Sequence, residues 1–165
     1  MVMYRESIRL PEIQLVGVAI RTNNKAESDP FMSKIGIIVQ RYFRESLSEK
    51  IVNRKSPGKT FCVYADYEGD HRGDYTYLIG EEVTSCGGLP DGFITFTIPT
   101  QSYIKFTNGP GPMPKVCIQV WEEVWSLSSA SLGGERNYRA DFEIYDERAE
   151  DSSHTELDVY VGVSG

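Results

Sequence analysis

The chain contains an internal repeat, and this repeat constrains its fold more than any other feature of the sequence. Residues 32–39 (MSKIGIIV) recur at 113–120 (MPKVCIQV), and residues 61–64 (FCVY) recur at 142–145 (FEIY). Both recurrences are displaced by 81 positions, from 32 to 113 and from 61 to 142. A constant displacement over two separate segments predicts two copies of one supersecondary unit, packed about a pseudo-two-fold axis. Two copies are too few for a solenoid, which needs at least three.

Positions at which the two copies differ are candidates for a ligand site on such an axis. The most notable difference falls within the second recurrence, where Cys62 of the first copy corresponds to Glu143 of the second. A small thiol and a carboxylate differ in charge as well as in size. The pair therefore marks a place where one copy has been specialised.

The composition is that of a single globular domain. The 165 residues are 40% hydrophobic and 25% charged, which is typical of a folded chain. The net charge of −7 argues against a nucleic-acid surface, because such surfaces depend on Lys and Arg. We find no apolar signal segment and no stretch near the roughly 20 apolar residues of a membrane span. Three widely spaced cysteines indicate neither a disulfide framework nor a zinc site, so we expect a cytoplasmic protein.

The first copy is predicted to contain one strand, one helix and two further strands. A strand is expected at 13–22, because this segment is rich in β-branched residues. A helix should begin after Asp29-Pro30, since apolar residues then recur at three and four positions as far as Leu47. Two more strands are expected at 60–67 and 75–83, joined by a polar turn.

The second copy repeats this order. A lead-in strand at 93–98 precedes the counterpart of the first strand at 102–107, and residues 108–112 should open the second helix. Strands at 138–145 and 157–163 complete the copy. The order βαββ–βαββ predicts an α+β fold in which duplicated units form an antiparallel sheet and two main helices frame a cleft.

At this level of detail the sequence resembles a known family, the GyrI-like effector-binding domains. The resemblance is carried by the duplication, by residues 63–83 (VYADYEGDHRGDYTYLIGEEV), and by the closing segments DFEIYD and LDVYVGV. The family includes the ligand domains of AraC-type and MerR-type multidrug regulators and stand-alone proteins carried on integron gene cassettes. The resemblance extends over about 13–163. It implies one effector-binding domain over residues 1–165, with repeats at about 13–83 and 93–163.

The resemblance also implies a function in ligand binding. With the first strand expected near Ile13, there is no room for a helix-turn-helix module, so we expect a stand-alone binding domain that does not contact nucleic acid directly. A separate regulator or another protein partner would read its bound state. In the family, the glutamate that maps to Glu143 lies at the floor of an apolar cleft and meets lipophilic cations. A buried carboxylate is costly unless it is paired, which makes such a cleft receptive to a cation.

Strand periodicity alone favours a different position for Glu143. Alternation places Glu143 with Asp141 and Tyr145, opposite Phe142 and Ile144, and a polar face of this kind is typical of an exposed surface. The sequence therefore leaves two interpretations, a cleft floor and a solvent face.

Aromatic residues near this position are the remaining candidates for ligand contacts. Tyr64 and Tyr145 are repeat counterparts on the same strand faces as Cys62 and Glu143. Trp121 and Trp125 lie one helical turn apart, although for either one alone a position as a core anchor is favoured. The predicted ligand-binding set is completed by two tyrosines at strand ends, Tyr75 and Tyr103.

Other motifs do not indicate a cofactor, a metal or a catalytic group. Residues 56–60 end like a phosphate-binding loop but lack its first glycine and precede a strand. The acidic cluster at 66–74 does not have the spacing of a calcium loop. His71 and His154 lie in predicted turns without partner ligands.

Three functions remain compatible with the sequence. The first is a non-enzymatic pocket for lipophilic, cationic, drug-like molecules. The second is a hydrolase of strained electrophilic natural products, in which Glu143 would act as a general base with a pKa raised by burial. The third is a protein-binding module of the gyrase-inhibitor kind. The absence of a second evident catalytic group favours binding over catalysis.

Overall fold

The fold is an eight-stranded antiparallel sheet with its helices on one face. The computed structural model describes residues 3–70 and 72–164, so His71, considered above as a possible ligand, lies outside the described residues. The strands are β1 (Tyr4–Leu10), β2 (Ile13–Thr22), β3 (Thr60–Ala65), β4 (Tyr75–Glu82), β5 (Ile94–Ile98), β6 (Gln101–Gly111), β7 (Ala140–Tyr145) and β8 (Thr155–Val163). The α-helices are α1 (Asn24–Glu27), α2 (Ile35–Arg44), α3 (Lys115–Ser126) and α4 (Ser129–Leu132). Short 3-10 turns occupy Leu47–Lys50 and Glu147–Ala149.

The strand order shows the pseudo-two-fold symmetry that the repeat predicted. The order is β1-β6-β8-β7-β3-β4-β2-β5, and all seven pairings are antiparallel. Read from one end the order is β1, β6, β8, β7, and read from the other end it is β5, β2, β4, β3. Each strand therefore lies as far from the centre of the sheet as its counterpart in the other copy. The α+β fold class and the duplicated βαββ units are therefore confirmed.

The pseudo-two-fold axis crosses the sheet between Cys62 and Glu143. Strands β3 and β7 form the centre of the sheet, and their register places Cys62 directly opposite Glu143. Cys62 and Glu143 are also counterparts in the repeat, so each residue pairs with its own counterpart across the centre of the sheet. The specialised pair found in the sequence therefore lies at the centre of the fold.

The two copies exchange their outer strands. Strand β1 precedes β2 in the chain but pairs with β6 of the second copy, and β5 precedes β6 but pairs with β2 of the first. Strand β1 was not predicted, because the first strand was expected at Ile13. Its sequence, YRESIRL, is polar and mostly exposed, as is typical of an edge strand protected by charged side chains.

Helix α2 begins later than the sequence predicted. Asp29-Pro30 was expected to start it, but the Asp29 carboxylate instead accepts a hydrogen bond from the Phe31 N–H within a turn, at 2.9 Å. The cap of α2 comes from Glu27, whose carboxylate accepts from the N–H groups of Lys34 at 2.9 Å and Ile35 at 3.0 Å. These donors lack partners within the helix, and a carboxylate is favourable at this end of its dipole.

Helix α3 also begins after the predicted opening, at Lys115, because residues 108–111 remain part of β6. The helix packs on the second half of the sheet through one apolar stripe made by Val116, Val120 and Val124. Helix α2 packs in the same way on the first half, through Ile38 and Tyr42.

Both faces of the sheet carry buried hydrophobic clusters. On the face away from the helices, both copies contribute to one cluster that includes Phe61, Phe142, Tyr103 and Tyr160. The rings of Phe142 and Tyr160 stack there at 4.6 Å between centroids. On the helix face there are two clusters, one for each copy, and both Tyr64 and Tyr145 contact the two of them. The boundary between the copies is therefore lined with tyrosine.

Candidate functional site

A buried carboxylate lies at the boundary between the two copies. Glu143 is 3% exposed. Its Oε2 accepts hydrogen bonds from the Tyr64 hydroxyl at 2.7 Å and the Trp121 indole N–H at 2.7 Å, and its Oε1 accepts from the Tyr145 hydroxyl at 2.7 Å. The interpretation of this strand face as exposed is wrong, because the helix layer covers it. Three polar donors satisfy the carboxylate, as the burial of such a group requires.

The donors around Glu143 are neutral groups. Burial, and after it the negative charge of Glu143, raises the pKa of the Tyr64 and Tyr145 hydroxyls well above the usual range. The same two causes raise the pKa of the Cys117 thiol. These groups therefore stay protonated. None of the ion pairs within residues 3–70 and 72–164 involves Glu143, so its charge is solvated by dipoles and not balanced by a cation.

A cavity of about 350 Å³ lies beside this carboxylate. Helix α3 contributes Ile118, Trp121 and Trp125, and the sheet side contributes tyrosines. The residues that line it on the sheet side are Tyr64 on β3, Tyr67 just beyond β3, and Tyr75 on β4. The volume falls within the range that binding sites for small molecules occupy, and an apolar aromatic lining is typical of such sites.

Tyr64 lies at the centre of the aromatic lining. Its ring centroid is 5.5 Å from that of Tyr75, 5.2 Å from that of Tyr77 and 5.2 Å from that of Trp121, all in edge-on arrangements. Edge-on packing directs the positive edge of one ring at the negative face of the next and stabilises each pair. The wall is therefore a connected set of rings and not a group of independent side chains.

The two copies contribute differently to the aromatic wall, with tyrosines from the first copy and both tryptophans from the second. At the displacement of 81 residues, the counterparts of Trp121 and Trp125 on α2 are Gln40 and Arg44. The two tryptophans of the chain therefore have no aromatic equivalents across the axis. The lining of the cavity is therefore asymmetric, although the fold around it is pseudo-symmetric.

The structure brings together most of the residues that the sequence singled out. Tyr64, Tyr75, Trp121 and Trp125 line the cavity. Trp125 is 47% exposed and lies at its opening, whereas Trp121 is buried.

Three of the selected residues lie behind this lining. Glu143 and Tyr145 do not form part of the lining itself, since Tyr64 and Trp121 separate the carboxylate from the cavity. Glu143 therefore lies one layer below the expected floor. Cys62 is buried beside it, opposite in the sheet, and is likewise not part of the lining.

The structure corrects the placement of Tyr103. It was expected to flank the cavity, but it lies in the cluster on the helix-free face, where its ring packs against Phe142 at 5.3 Å and Tyr160 at 5.8 Å. The cause is the alternation of side chains along β6, in which Ile104 and Phe106 take the helix face. Strand periodicity could have placed Tyr103 correctly if the face of β6 had been assigned.

Sequence reasoning missed several residues of the lining. Glu27 on α1 is part of the lining, and Tyr67, Cys117 and Arg136 complete other parts of the wall. Cys117 could have been found from the repeat, because its counterpart on α2 is Gly36. Arg136 follows α4 in a connecting segment with no periodicity and could not have been found in this way.

Arg136 is held by a buried aspartate. Its Nη2 donates to Oδ2 of Asp141 at 2.6 Å. Asp141 also accepts from the Tyr67 hydroxyl at 2.6 Å and from the Gly162 N–H at 2.8 Å. The positive charge of Arg136 is thus balanced locally, and the charge of Glu143 and Glu27 remains in excess around the cavity.

The sequence profile of one family matches nearly the whole chain. This family is Cass2, described as integron-associated effector binding protein, and the match covers residues 8–163. YobU of Bacillus subtilis, a protein assigned to the transcriptional regulators, is 23% identical over 150 residues, which is 91% of this chain and 91% of YobU. The chain belongs to the Cass2 family of integron-associated effector binding proteins, and the family resemblance seen in the sequence is confirmed.

Solved structures share the fold over the same extent. The integron cassette protein VCH_CASS2 of Vibrio cholerae superposes with a TM-score of 0.76 at 21% identity, covering 98% of this chain and 99% of that protein. SAV2435, solved bound to tetraphenylphosphonium, superposes with a TM-score of 0.78 at 18% identity, covering 98% and 94% respectively. Within the described residues, none of the helices has the length and apolar character needed to cross a bilayer.

Proposed function

We propose that this member of the Cass2 family is a stand-alone binding domain for lipophilic cationic small molecules, which it holds in the cavity between Trp121, Trp125 and the tyrosines of β3 and β4. Its ligand would be recognised by shape and charge and released unchanged. A separate regulator or protein partner would read the bound state in the cytoplasm.

The observation that carries this proposal is the unbalanced charge of Glu143. The carboxylate is buried, it is solvated by neutral donors only, and two of those donors belong to residues that line the cavity. In a region of low dielectric constant, the attraction between a bound cation and this charge is much stronger than it would be in water. The folded protein has already met the desolvation cost of the carboxylate, so a cation gains the attraction as soon as it binds.

The aromatic wall supports the same conclusion. A cation against the face of a tryptophan or tyrosine ring gains about 0.5–2 kcal/mol for each contact. The Tyr64 hydroxyl and the Trp121 indole both donate to Glu143, and donation to a carboxylate polarises the donor ring toward greater negative charge. The carboxylate therefore acts on the ligand directly and also through the rings in front of it.

The ligand bound by one structural neighbour is consistent with this chemistry. SAV2435 was solved with tetraphenylphosphonium, a lipophilic cation that cannot donate a hydrogen bond. A site suited to such a ligand needs charge and apolar surface in place of directional polar contacts. The cavity beside Glu143 offers these two features.

Calorimetric titration with tetraphenylphosphonium tests the proposal. We expect micromolar affinity, about −8 kcal/mol, and a loss of tenfold to a hundredfold in the variant Glu143→Gln, which removes the charge and keeps the shape. The matched control is Glu122→Gln, which removes one charge from an exposed residue of α3 outside this cavity. Equal affinities for the wild type and Glu143→Gln, or no binding at all, would contradict the proposal.

A further inference from the structure

We infer that Arg136 forms a second recognition point in the cavity, a hydrogen-bond donor for a neutral carbonyl oxygen of the ligand. This inference rests on the proposed function and narrows its ligand class. The preferred ligands would be lipophilic cations that also carry an ester, ketone or amide group. The cationic centre would be read by Glu143 and the rings, and the carbonyl by the guanidinium.

The guanidinium is fixed in position before any ligand binds. Its Nη2 donates to Asp141 at 2.6 Å, and its Cζ lies 4.4 Å from the centroid of the Tyr138 ring and 6.0 Å from that of Trp121. The side chain is 10% exposed, and it forms part of the cavity lining. A planar group held by an ion pair and by ring stacking is rigid enough to orient a ligand.

Most of the hydrogen-bonding capacity of Arg136 is unused. A guanidinium has five N–H donors, and within the described part of the chain Arg136 makes one side-chain hydrogen bond, from Nη2 to Asp141. Nε is shielded from solvent and has no acceptor within residues 3–70 and 72–164, and Nη1 has none there either. Asp141 receives only Nη2 from Arg136 among the described residues, and its other recorded donors are the Tyr67 hydroxyl and the Gly162 N–H. Arg136 is almost fully buried and lies on the cavity wall with N–H donors that are not used. Buried donors are normally paired, so these donors are available to an acceptor on a ligand.

The charges around the cavity favour a neutral acceptor over an anion. The single positive charge of Arg136 is already balanced by Asp141 at 2.6 Å. The carboxylates of Glu27, which lines the cavity, and of Glu143, which lies behind it, would repel an anionic group. A carbonyl oxygen accepts a hydrogen bond without adding charge, so it can use Nη1 without meeting this repulsion.

Two matched phosphonium probes test the inference. One is triphenylphosphonium bearing a 4-(methoxycarbonyl)phenyl group, and the other bears a 4-sec-butylphenyl group, which has the same number and branching of heavy atoms but no carbonyl. Titration of both probes against the wild type and Arg136→Lys gives a double cycle that cancels the difference in hydrophobicity. Lysine keeps the positive charge for Asp141 but loses Nε and Nη1. We expect the ester-to-alkyl affinity ratio to fall at least fivefold in Arg136→Lys.

Arg139→Lys serves as the matched control, because Arg139 is exposed and lies outside the cavity lining. An ester-to-alkyl ratio that is the same in the wild type and in Arg136→Lys would overturn the inference. If tetraphenylphosphonium failed to bind the wild type, the proposed function would fail instead, so the two results are distinguishable.

A measurement on the wild type keeps the inference testable if Arg136→Lys does not fold. In ¹⁵N-correlated spectra of the arginine Nε–H groups, the Arg136 signal should move on addition of the ester probe, and much less on addition of the alkyl probe. Identical responses to the two probes would contradict the inference without any substitution in the protein.

Discussion

The indole N–H of Trp121 donates to Oε2 of Glu143 at 2.7 Å, so a residue of the cavity wall holds a carboxylate that the cavity itself does not reach. Tyr64 makes the same kind of contact from the opposite side of the wall. The lining and the charge behind it thus form one hydrogen-bonded unit. Substitutions of Glu143 or of its donors Tyr64 and Trp121 should affect both the stability of the apo protein and the binding of a ligand.

For Glu143, the size of the replacement should decide the effect on stability. Glu143→Gln keeps an acceptor for Tyr64 and Trp121, and the Tyr145 hydroxyl can rotate to accept from the new amide. We expect a change within about 1 kcal/mol in the free energy of unfolding, because no cation among the described residues pairs with the lost charge. Glu143→Ala leaves three buried donors without an acceptor and should cost more than about 3 kcal/mol. Urea denaturation measures both, and equal losses in the two variants would contradict this account.

Trp125 should contribute to binding with little contribution to stability. It lines the cavity but is 47% exposed, so Trp125→Ala should weaken the binding of tetraphenylphosphonium by about 1–2 kcal/mol, the scale of a cation–π contact. The free energy of unfolding should change by less than about 1 kcal/mol. Ile37→Ala is a suitable control, since Ile37 is 69% exposed on α2 and outside the lining. Unchanged affinity in Trp125→Ala would argue against its role at the opening.

The buried tyrosines should make the protein sensitive to alkaline pH. Burial and the charge of Glu143 raise the pKa of Tyr145 well above 10 in the folded state, whereas it is about 10 in the unfolded chain. The folded state therefore retains a proton that the unfolded state releases, and stability that is complete below about pH 10 is lost as the pH rises further.

Tyr145→Phe removes one such titration. Between about pH 10 and 11, the slope of unfolding free energy against pH should become shallower by up to about 1.4 kcal/mol per pH unit. The difference between the two proteins at pH 8 reports the lost hydrogen bond to Glu143 separately. Urea denaturation at each pH gives the unfolding free energy of both proteins. If the plots of this free energy against pH are parallel for the wild type and Tyr145→Phe, the ionisation of Tyr145 does not contribute.

A pair of glycines should be indispensable to the first half of the sheet. Gly17 and Gly80 face each other across β2 and β4, and a Cβ on Gly80 would lie 2.7 Å from the Cα of Gly17 and in collision with the Val16 carbonyl. We expect Gly80→Ala to destabilise the protein by more than about 2 kcal/mol. Gly36→Ala on α2 should instead stabilise by about 0.5–1 kcal/mol. Among the described residues, apart from its chain neighbours and the nearby backbone of its own helix, nothing lies within 4 Å of a new Cβ there. Thermal unfolding of the two variants measures both effects, and similar shifts in melting temperature would contradict the different roles given to Gly80 and Gly36.

The repeat was sufficient to predict most of the fold, because both copies keep the same order of strands and helix at a constant displacement. It could not predict β1, in which apolar alternation is confined to Ile8 and Leu10 and which pairs with a partner about 100 residues away. The beginning of α2 was misplaced for a related reason. Asp29-Pro30 is a favourable local start, but the N–H groups of Lys34 and Ile35 are capped by Glu27 through tertiary structure.

The site could be predicted only where it coincides with the repeat. Comparison of the copies identified Glu143, and the adjacent strand and helix positions led to Tyr64 and Trp121. Strand alternation alone favoured a solvent face for Glu143, because it cannot tell whether a polar face is covered by a helix. Arg136 lies in a segment without periodicity, and its partner Asp141 had no pattern that distinguished it from other acidic residues.

The exchange of β1 and β5 between the copies bears on how the chain folds. Each half has its own helix and its own cluster on the helix face, and on that basis it resembles an independent unit. Without the outer strand of the other half, however, β6 or β2 would present an unpaired backbone edge. Each half therefore needs a segment of its neighbour to complete its sheet, so the protein should unfold as one cooperative unit, without a species in which only one copy is folded.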